Sequence, residues 1–167
     1  MLNVNYMVKL EDSCLIIDDR TLIERLIELG AGIEEGGKAK IPLLEAAYFA
    51  EKKIIDFDMN KILKEAGKSD PLAYDKYTIL KFLRDRGYIT RVSLDTDDYF
   101  RVHQKGIRPG EDRTEHVMVV VSSDWKTGLL EIKKLLDISG KLRKELIIGY
   151  VEKENPHFLK ISRKNFD

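Results

Sequence analysis

The order of periodic segments after residue 70 constrains the fold more than any other feature of the sequence. A helical pattern over residues 72–86 ends at Gly87, and three strand-like runs follow it. A second helical pattern begins near Leu129, and two further strand-like runs close this half. Helices alternating with groups of strands in this order predict a mixed sheet flanked by helices, which is an α/β (α+β) arrangement.

The strands predicted in this half are rich in β-branched and aromatic residues. They are Tyr88–Leu94, Tyr99–Gln104, His116–Val121, Leu146–Val151 and Phe158–Ile161. Ahead of them, the segment Gly67–Pro71 combines turn-forming residues with a proline suited to the start of a helix. It predicts a domain boundary, with a small N-terminal α/β domain over residues 1–69 and a second domain over residues 70–167.

The first 69 residues alternate short strand and helix signals. The predicted strands are Tyr6–Lys9, Cys14–Ile17 and Ile54–Phe57, and the predicted helices are Leu22–Leu29, Leu43–Lys53 and Met59–Ala66. Residues 30–40 contain four glycines, but their spacing matches neither G-x-G-x-x-G nor G-K-[ST]. A phosphate-binding loop is therefore not expected, and the segment is interpreted as a turn.

Charge is balanced overall but divided between the two halves. The 167 residues include 29 Lys and Arg against 29 Asp and Glu, which excludes a polycation that coats nucleic acid. Residues 1–70 carry 10 basic and 14 acidic side chains, whereas residues 71–167 carry 19 and 15. A polyanionic partner is therefore expected to meet the second half.

The single cysteine, Cys14, lies in an apolar run and excludes both an internal disulfide and a cysteine-based metal cluster. No stretch approaches 18 consecutive apolar residues, and the N-terminal residues lack the zones of a signal peptide. We therefore expect a cytoplasmic protein without a membrane segment.

Three histidines, His103, His116 and His157, lie in the second half, and their spacing predicts no metal site. His103 ends one predicted strand and His116 begins the next, so both rings are expected at one edge of the sheet, where Lys144 could join them. Two groups that titrate near neutrality and a fixed cation suit attack of a ribose 2′-hydroxyl on the adjacent phosphate. The alternative is that two surface histidines flank a loop by accident and Lys144 is a solvated lysine.

Four sets of motifs follow one another along the chain. They are Leu44–Phe49, Tyr77 with Leu83–Tyr88, Phe100–Gly106 with Glu115–His116, and Arg143–Gly149. In order and spacing they resemble a subunit of the archaeal tRNA-intron splicing endonucleases over nearly the whole chain. The resemblance implies an endonuclease-like catalytic domain over residues 70–167. It also implies cleavage of precursor tRNA at bulge-helix-bulge sites without metal or other cofactor, leaving 2′,3′-cyclic phosphate and 5′-hydroxyl ends.

The family uses a tyrosine base, a histidine acid and a lysine that stabilises the transition state. By resemblance the acid is His116 and the lysine is Lys144. The tyrosine position holds His103, which is the main departure from the family pattern. Imidazole has a reference pKa of about 6.5, so His103 is a competent base at neutral pH.

RNA recognition departs from the family as well. The family holds a bulge base between two arginines, and the first of these positions matches Asp137 here. The second cation matches Lys160 or Arg163, and Arg101 and Lys105 are further basic residues suited to RNA. An acid at the first position favours an alternative role as a non-catalytic structural subunit.

The resemblance implies a homo- or hetero-oligomer of endonuclease subunits, a dimer or tetramer in which an acidic loop of one subunit docks on another. The corresponding loop here is Ser122–Lys126, with Asp124 as the candidate acid; the alternative is a solvated turn with a half-buried tryptophan. The strand Phe158–Ile161 is expected to pair or pack with a partner. An unrelated RNA-binding or interaction module is the remaining alternative.

Overall fold

A computed structural model describes residues 7–92, 98–106, 111 and 114–167. Its helices are α1 (Arg20–Glu28), α2 (Leu43–Glu51), α3 (Met59–Ser69), α4 (Ala73–Asp85) and α5 (Leu129–Lys141). Its strands are β1 (Val8–Leu10), β2 (Cys14–Ile17), β3 (Ile33–Glu35), β4 (Lys38–Pro42), β5 (Thr90–Val92), β6 (Phe100–His103), β7 (Thr114–Val120), β8 (Glu145–Glu152) and β9 (Asn155–Ile161). The predicted residues Tyr6, Ser93 and Leu94 lie outside the described part of the chain. The arrangement is α+β, as the sequence predicted.

The second half forms one mixed sheet, with strand order β5-β6-β7-β8-β9. All neighbouring strands are antiparallel except β7 and β8, which run parallel. A parallel pair needs a long crossover, and α5 lies in the connection between these two strands. The mixed sheet expected from the element order is therefore confirmed.

Both faces of the central strands of this sheet are buried, and helices α4 and α5 both contact β8. Phe100 and Met118 are level with each other and buried, and Met118 and Ile79 of α4 both lie close to the backbone of Gly149. Because side chains alternate along a strand, Val117 lies on the opposite face. Val117 is almost completely buried, so both faces of the central strands are covered.

The first half forms an antiparallel sheet of order β1-β2-β4-β3, and this corrects the turn predicted for residues 30–40. Glu35 pairs with Lys38 across Gly36 and Gly37, whose φ angles are +61° and +77°. Two glycines with positive φ form a two-residue hairpin turn of the kind that matches the twist of the flanking strands. The glycines therefore connect two strands instead of replacing them.

Two further boundaries differ from the sequence prediction. Residues 54–57 form no strand, because the backbone N–H groups of Ile54 and Ile55 both donate to the carbonyl oxygen of Phe49. These two hydrogen bonds cap the C-terminal end of α2, where Lys53 adopts a φ of +58°. Helix α3 continues through Ser69, so the predicted boundary segment begins inside a helix.

A buried ion pair joins the two halves. Glu45 of α2 is 1% exposed, and its Oε1 accepts a hydrogen bond from Arg84 Nη2 of α4 at 3.2 Å. Its Oε2 accepts from the backbone N–H of Val92 in β5 at 3.1 Å. The hydrophobic core is likewise continuous across both halves. The division into domains at residues 69 and 70 stays a prediction.

Gly32 and Gly36 offer a matched test of backbone packing in the first half, because both have a φ of +61°. A Cβ atom on Gly32 would lie 2.4 Å from the carbonyl oxygen of Lys40, whereas one on Gly36 would meet no atom within 4 Å. We expect Gly36→Ala to lower the free energy of unfolding by about 1–2 kcal/mol, through the left-handed conformation alone. Gly32→Ala should lower the free energy of unfolding by about 1–3 kcal/mol more than Gly36→Ala does, because its Cβ atom overpacks the site. Urea denaturation of both variants measures the difference, and equal losses would contradict it.

Candidate active site

The second sheet brings the three predicted catalytic positions to one edge. Strand β6 ends at His103, β7 begins at Thr114, and β8, which runs parallel to β7, begins at Glu145. The register places His116 level with Val102 on one side and with Glu145 on the other. We call this edge, where β6 ends and β7 and β8 begin, the histidine edge.

His103 lies at a break in the regular pairing of β6 with β7. A register shift falls between Val102, which is level with His116, and His103, which is level with Thr114. The backbone N–H of His103 donates to the carbonyl oxygen of Ile89 at 2.9 Å, which anchors this end of the strand. In an uninterrupted ladder His103 and His116 would face opposite sides of the sheet, and a bulge is the device by which strands depart from that alternation.

Lys144 is held at the histidine edge by the turn that follows α5. Its backbone N–H donates to the carbonyl oxygen of Ser139 at 2.9 Å, and that of Arg143 donates to Gly140 at 3.0 Å. Arg143 adopts a φ of +54°, which reverses the chain between α5 and β8. Lys144 is half-buried, and its ammonium group makes no ion pair with any residue in the described ranges. It is therefore positioned by backbone contacts, with its charge available to a ligand.

His116 contacts a carboxylate that sequence reasoning did not single out. Glu145 Oε2 lies 3.0 Å from Nε2 of His116, and Glu145 Oε1 accepts a hydrogen bond from Nζ of Lys160 in β9. The Lys160 ammonium and then the imidazole hold the pKa of Glu145 below its usual range. The side chains are partly exposed, at 27% for His116 and 48% for Glu145, so the group is open to solvent and to a ligand.

The four residues predicted to bind RNA occupy different surfaces. Arg101 precedes Val102 in β6, so strand alternation places it on the face opposite to His116. The Lys105 ammonium lies 5.0 Å from the ring centroid of Tyr88, a cation–π contact beyond the end of β6. Of the four, Lys160 is the one that the structure joins to the histidine edge, through Glu145.

Arg163 and Asp137 form an ion pair on the surface. Arg163 Nη2 donates to Asp137 Oδ1 at 2.7 Å, and both side chains are more than half exposed. Asp137 therefore lies next to a cation, and each charge offsets the other.

Asp124 lies at the far end of β7, away from the histidine edge. Ser122 Oγ donates to Asp124 Oδ1, and the Trp125 N–H donates to the Ser122 carbonyl oxygen at 3.0 Å. These bonds form a turn that presents Asp124 to solvent and leaves Trp125 38% exposed. The turn and the histidine edge thus occupy opposite ends of the strand.

The described residues contain neither a cluster of metal ligands nor a membrane-spanning helix. Within residues 7–92, 98–106, 111 and 114–167, no three His, Cys, Asp or Glu side chains lie together as metal ligands. In the same ranges no helix has both the length and the apolar character needed to cross a membrane.

Comparison with known proteins identifies a family over the second half of the chain. The sequence model of a family described as tRNA intron endonuclease, catalytic C-terminal domain, matches residues 73–157. His103, His116 and Lys144 fall inside the matched region, whereas Lys160 and Arg163 lie beyond it.

Several archaeal proteins are similar to most of the chain. A protein named tRNA-splicing endonuclease from Thermococcus onnurineus is 30% identical over 126 residues, which cover 71% of this chain and 72% of that protein. One of the same name from Pyrococcus abyssi is 29% identical over 133 residues, covering 75% and 76%. Another, from Methanothermobacter thermautotrophicus, is 23% identical over 127 residues, covering 70% and 72%.

Proposed function

The chain belongs to the tRNA intron endonuclease family, and from that membership we propose that it is a subunit that cleaves precursor tRNA at bulge-helix-bulge sites. The observation that carries the proposal is the position of His103, His116 and Lys144. All three lie at the histidine edge, inside the region that matches the family's catalytic domain. The reaction needs no metal ion and leaves 2′,3′-cyclic phosphate and 5′-hydroxyl ends.

Each residue has one role in this reaction. His103 accepts the proton of the 2′-hydroxyl, and the 2′-oxygen forms a bond to the adjacent phosphorus. Lys144 stabilises the negative charge that develops on the phosphoryl oxygens. As the bond from phosphorus to the 5′-oxygen breaks, His116 donates a proton to the leaving oxygen. Two proton transfers therefore balance the reaction, and no water is consumed.

A structural role in a hetero-oligomer is the second candidate function, and the Asp137–Arg163 ion pair favours it. An arginine whose guanidinium is bound to a carboxylate is less available to hold a nucleobase. Such a subunit would support assembly and RNA positioning, while a partner subunit performs the cleavage.

Assembly and organisation follow from the same membership. We propose that Asp124 docks on another subunit, and that β9, as an edge strand with Leu159 52% exposed, pairs or packs with a partner. Arg101, Lys105, Lys160 and Arg163 are the proposed RNA contacts. We also propose a first domain over residues 1–69, a catalytic domain over residues 70–167 and a cytoplasmic location.

Incubation with a 5′-labelled bulge-helix-bulge RNA in EDTA tests the proposal. The purified chain should cut within the bulges and leave cyclic phosphate ends, because imidazole groups and an ammonium group supply all the chemistry. A duplex of the same length without bulges is the matched control and should stay intact. Cleavage that requires added Mg²⁺ would contradict the metal-independent mechanism. Intact RNA, restored to cleavage by a second subunit, would support the structural role instead.

A further inference from the structure

We propose that Glu145 positions His116 for proton transfer by binding Nε2 of its imidazole, so that Nδ1 is the nitrogen that serves the leaving oxygen. The inference rests on the proposed function, because it assigns an orientation to the acid of that reaction. It concerns a residue adjacent to Lys144, on the strand next to the one that carries His116.

The parallel register fixes the two side chains beside each other. His116 in β7 is level with Glu145 in β8, and partners in adjacent strands project from the same face of the sheet. The distance between Oε2 of Glu145 and Nε2 of His116 is 3.0 Å, which is hydrogen-bond distance. Since both backbones belong to a sheet, the pair does not depend on a mobile loop.

Lys160 fixes the carboxylate from its other side. In β9 it is level with Ile147, two residues after Glu145, and its ammonium donates to Oε1. Glu145 is thereby held at both oxygens, and the neighbouring cation favours its ionised form. An ammonium group has three N–H donors, so this contact leaves Lys160 able to bind a phosphate as well.

An ionised carboxylate is only an acceptor, so the imidazole must keep a proton on Nε2. The proton that His116 gains and loses is then carried by Nδ1. In the reaction Nδ1–H transfers its proton to the 5′-oxygen as the phosphorus–oxygen bond breaks, and the neutral ring keeps Nε2–H bound to Glu145. Carboxylates that orient a catalytic histidine in this way fix both its tautomer and its angle.

The test compares Glu145→Ala, Glu145→Gln and Glu152→Ala, the last an exposed glutamate at the other end of β8. Single-turnover cleavage at saturating RNA should fall at least about 10- to 100-fold in Glu145→Ala, the range for removal of a partner that orients a metal-bound histidine. The RNA concentration for half-maximal rate should stay unchanged. Glu145→Gln should recover part of the rate, because its amide oxygen can still accept from Nε2. Glu152→Ala should match the wild type.

Proton NMR of ¹⁵N-histidine-labelled protein gives a readout that is independent of cleavage. A downfield Nε2–H resonance of His116, assigned by its loss in His116→Ala, should be present in the wild type and in Glu152→Ala and absent in Glu145→Ala. If the wild type leaves RNA intact, the proposed cleavage fails, while this comparison still decides whether Glu145 holds the ring. A His116 resonance and a cleavage rate that are both unchanged in Glu145→Ala would overturn the inference.

Discussion

Alanine in place of either His116 or Lys144 is expected to reduce RNA cleavage by about 10²–10⁴-fold, because each variant removes a group that acts only in the transition state. Without His116 the 5′-oxygen leaves without a proton from the protein. Without Lys144 the charge on the phosphoryl oxygens is stabilised by solvent alone. Single-turnover rates on the bulge-helix-bulge RNA measure both effects.

Two residues of the same types serve as matched controls. The ring of His157 stacks on that of Tyr150, with 5.1 Å between the ring centroids, where β9 pairs with the second half of β8. Lys141 is the last residue of α5. His157→Ala and Lys141→Ala should cleave RNA at nearly the wild-type rate. All four variants should elute from a sizing column as the wild type does, because His116 and Lys144 are assigned to chemistry and not to assembly.

The same variants separate the two candidate functions. If the chain is the structural subunit, His116→Ala and Lys144→Ala will support cleavage by a partner subunit as well as the wild type does. If the chain is catalytic, they will not. Full activity of either variant in a preparation in which this chain cleaves alone would contradict the proposed mechanism.

The periodic spacing of hydrophobic residues was sufficient to predict the helices and strands that carry the candidate active site. Helix α4 and strands β6 and β7 begin and end near their predicted bounds, and helix α5 begins at the predicted Leu129, because each has a regular apolar pattern. The histidine edge followed from one topological fact, that His103 and His116 flank the connection between neighbouring strands. Because the two strands pair antiparallel, the end of one and the beginning of the next lie at the same edge of the sheet.

Glu145 was not predicted, because its relation to His116 depends on register across a parallel pair. Helix α5, which has 13 residues, and the turns on either side of it separate β7 from β8, and nothing in the sequence fixes which residue of β8 is level with His116. The hairpin of β3 and β4 was missed for a different reason. The glycine spacing predicts a turn over the whole of residues 30–40, whereas Gly36 and Gly37 form the two-residue turn that joins two antiparallel strands.

The buried ion pair of Glu45 with Arg84 shows how the first half supports the second. Arg84 also donates to the carbonyl oxygens of Leu29 and Gly30 at 2.8 and 2.9 Å, so its two terminal nitrogens both bind groups of the first half, while its Nε donates to the carbonyl oxygen of Thr90 at 3.2 Å. Burial raises the pKa of Glu45, while Arg84 and the backbone N–H of Val92 act in the opposite direction. Val92 belongs to β5, which pairs with the strand that ends at His103.

Glu45→Ala is therefore expected to lower the free energy of unfolding by about 3–5 kcal/mol, since it leaves the buried Arg84 without its carboxylate. Glu45→Gln should reduce the stability less than Glu45→Ala does, because its single amide oxygen can still accept from Arg84 or from Val92, which Glu45 binds with separate oxygens. Glu24→Ala breaks the exposed pair with Arg20 and should have little effect. Guanidinium denaturation measures all three variants.

A double-mutant cycle tests the cause of this expected loss of stability. If the loss in Glu45→Ala arises from the uncompensated charge of Arg84, then Glu45→Ala combined with Arg84→Met should cost clearly less than the sum of the two single variants. Additive losses would mean that the two residues stabilise the fold through separate contacts, Glu45 with β5 and Arg84 with the turn after α1. In the coupled case the first half secures the strand that precedes the histidine edge through one buried charge pair, so a loss of stability there should lower cleavage without any change to a residue of the site.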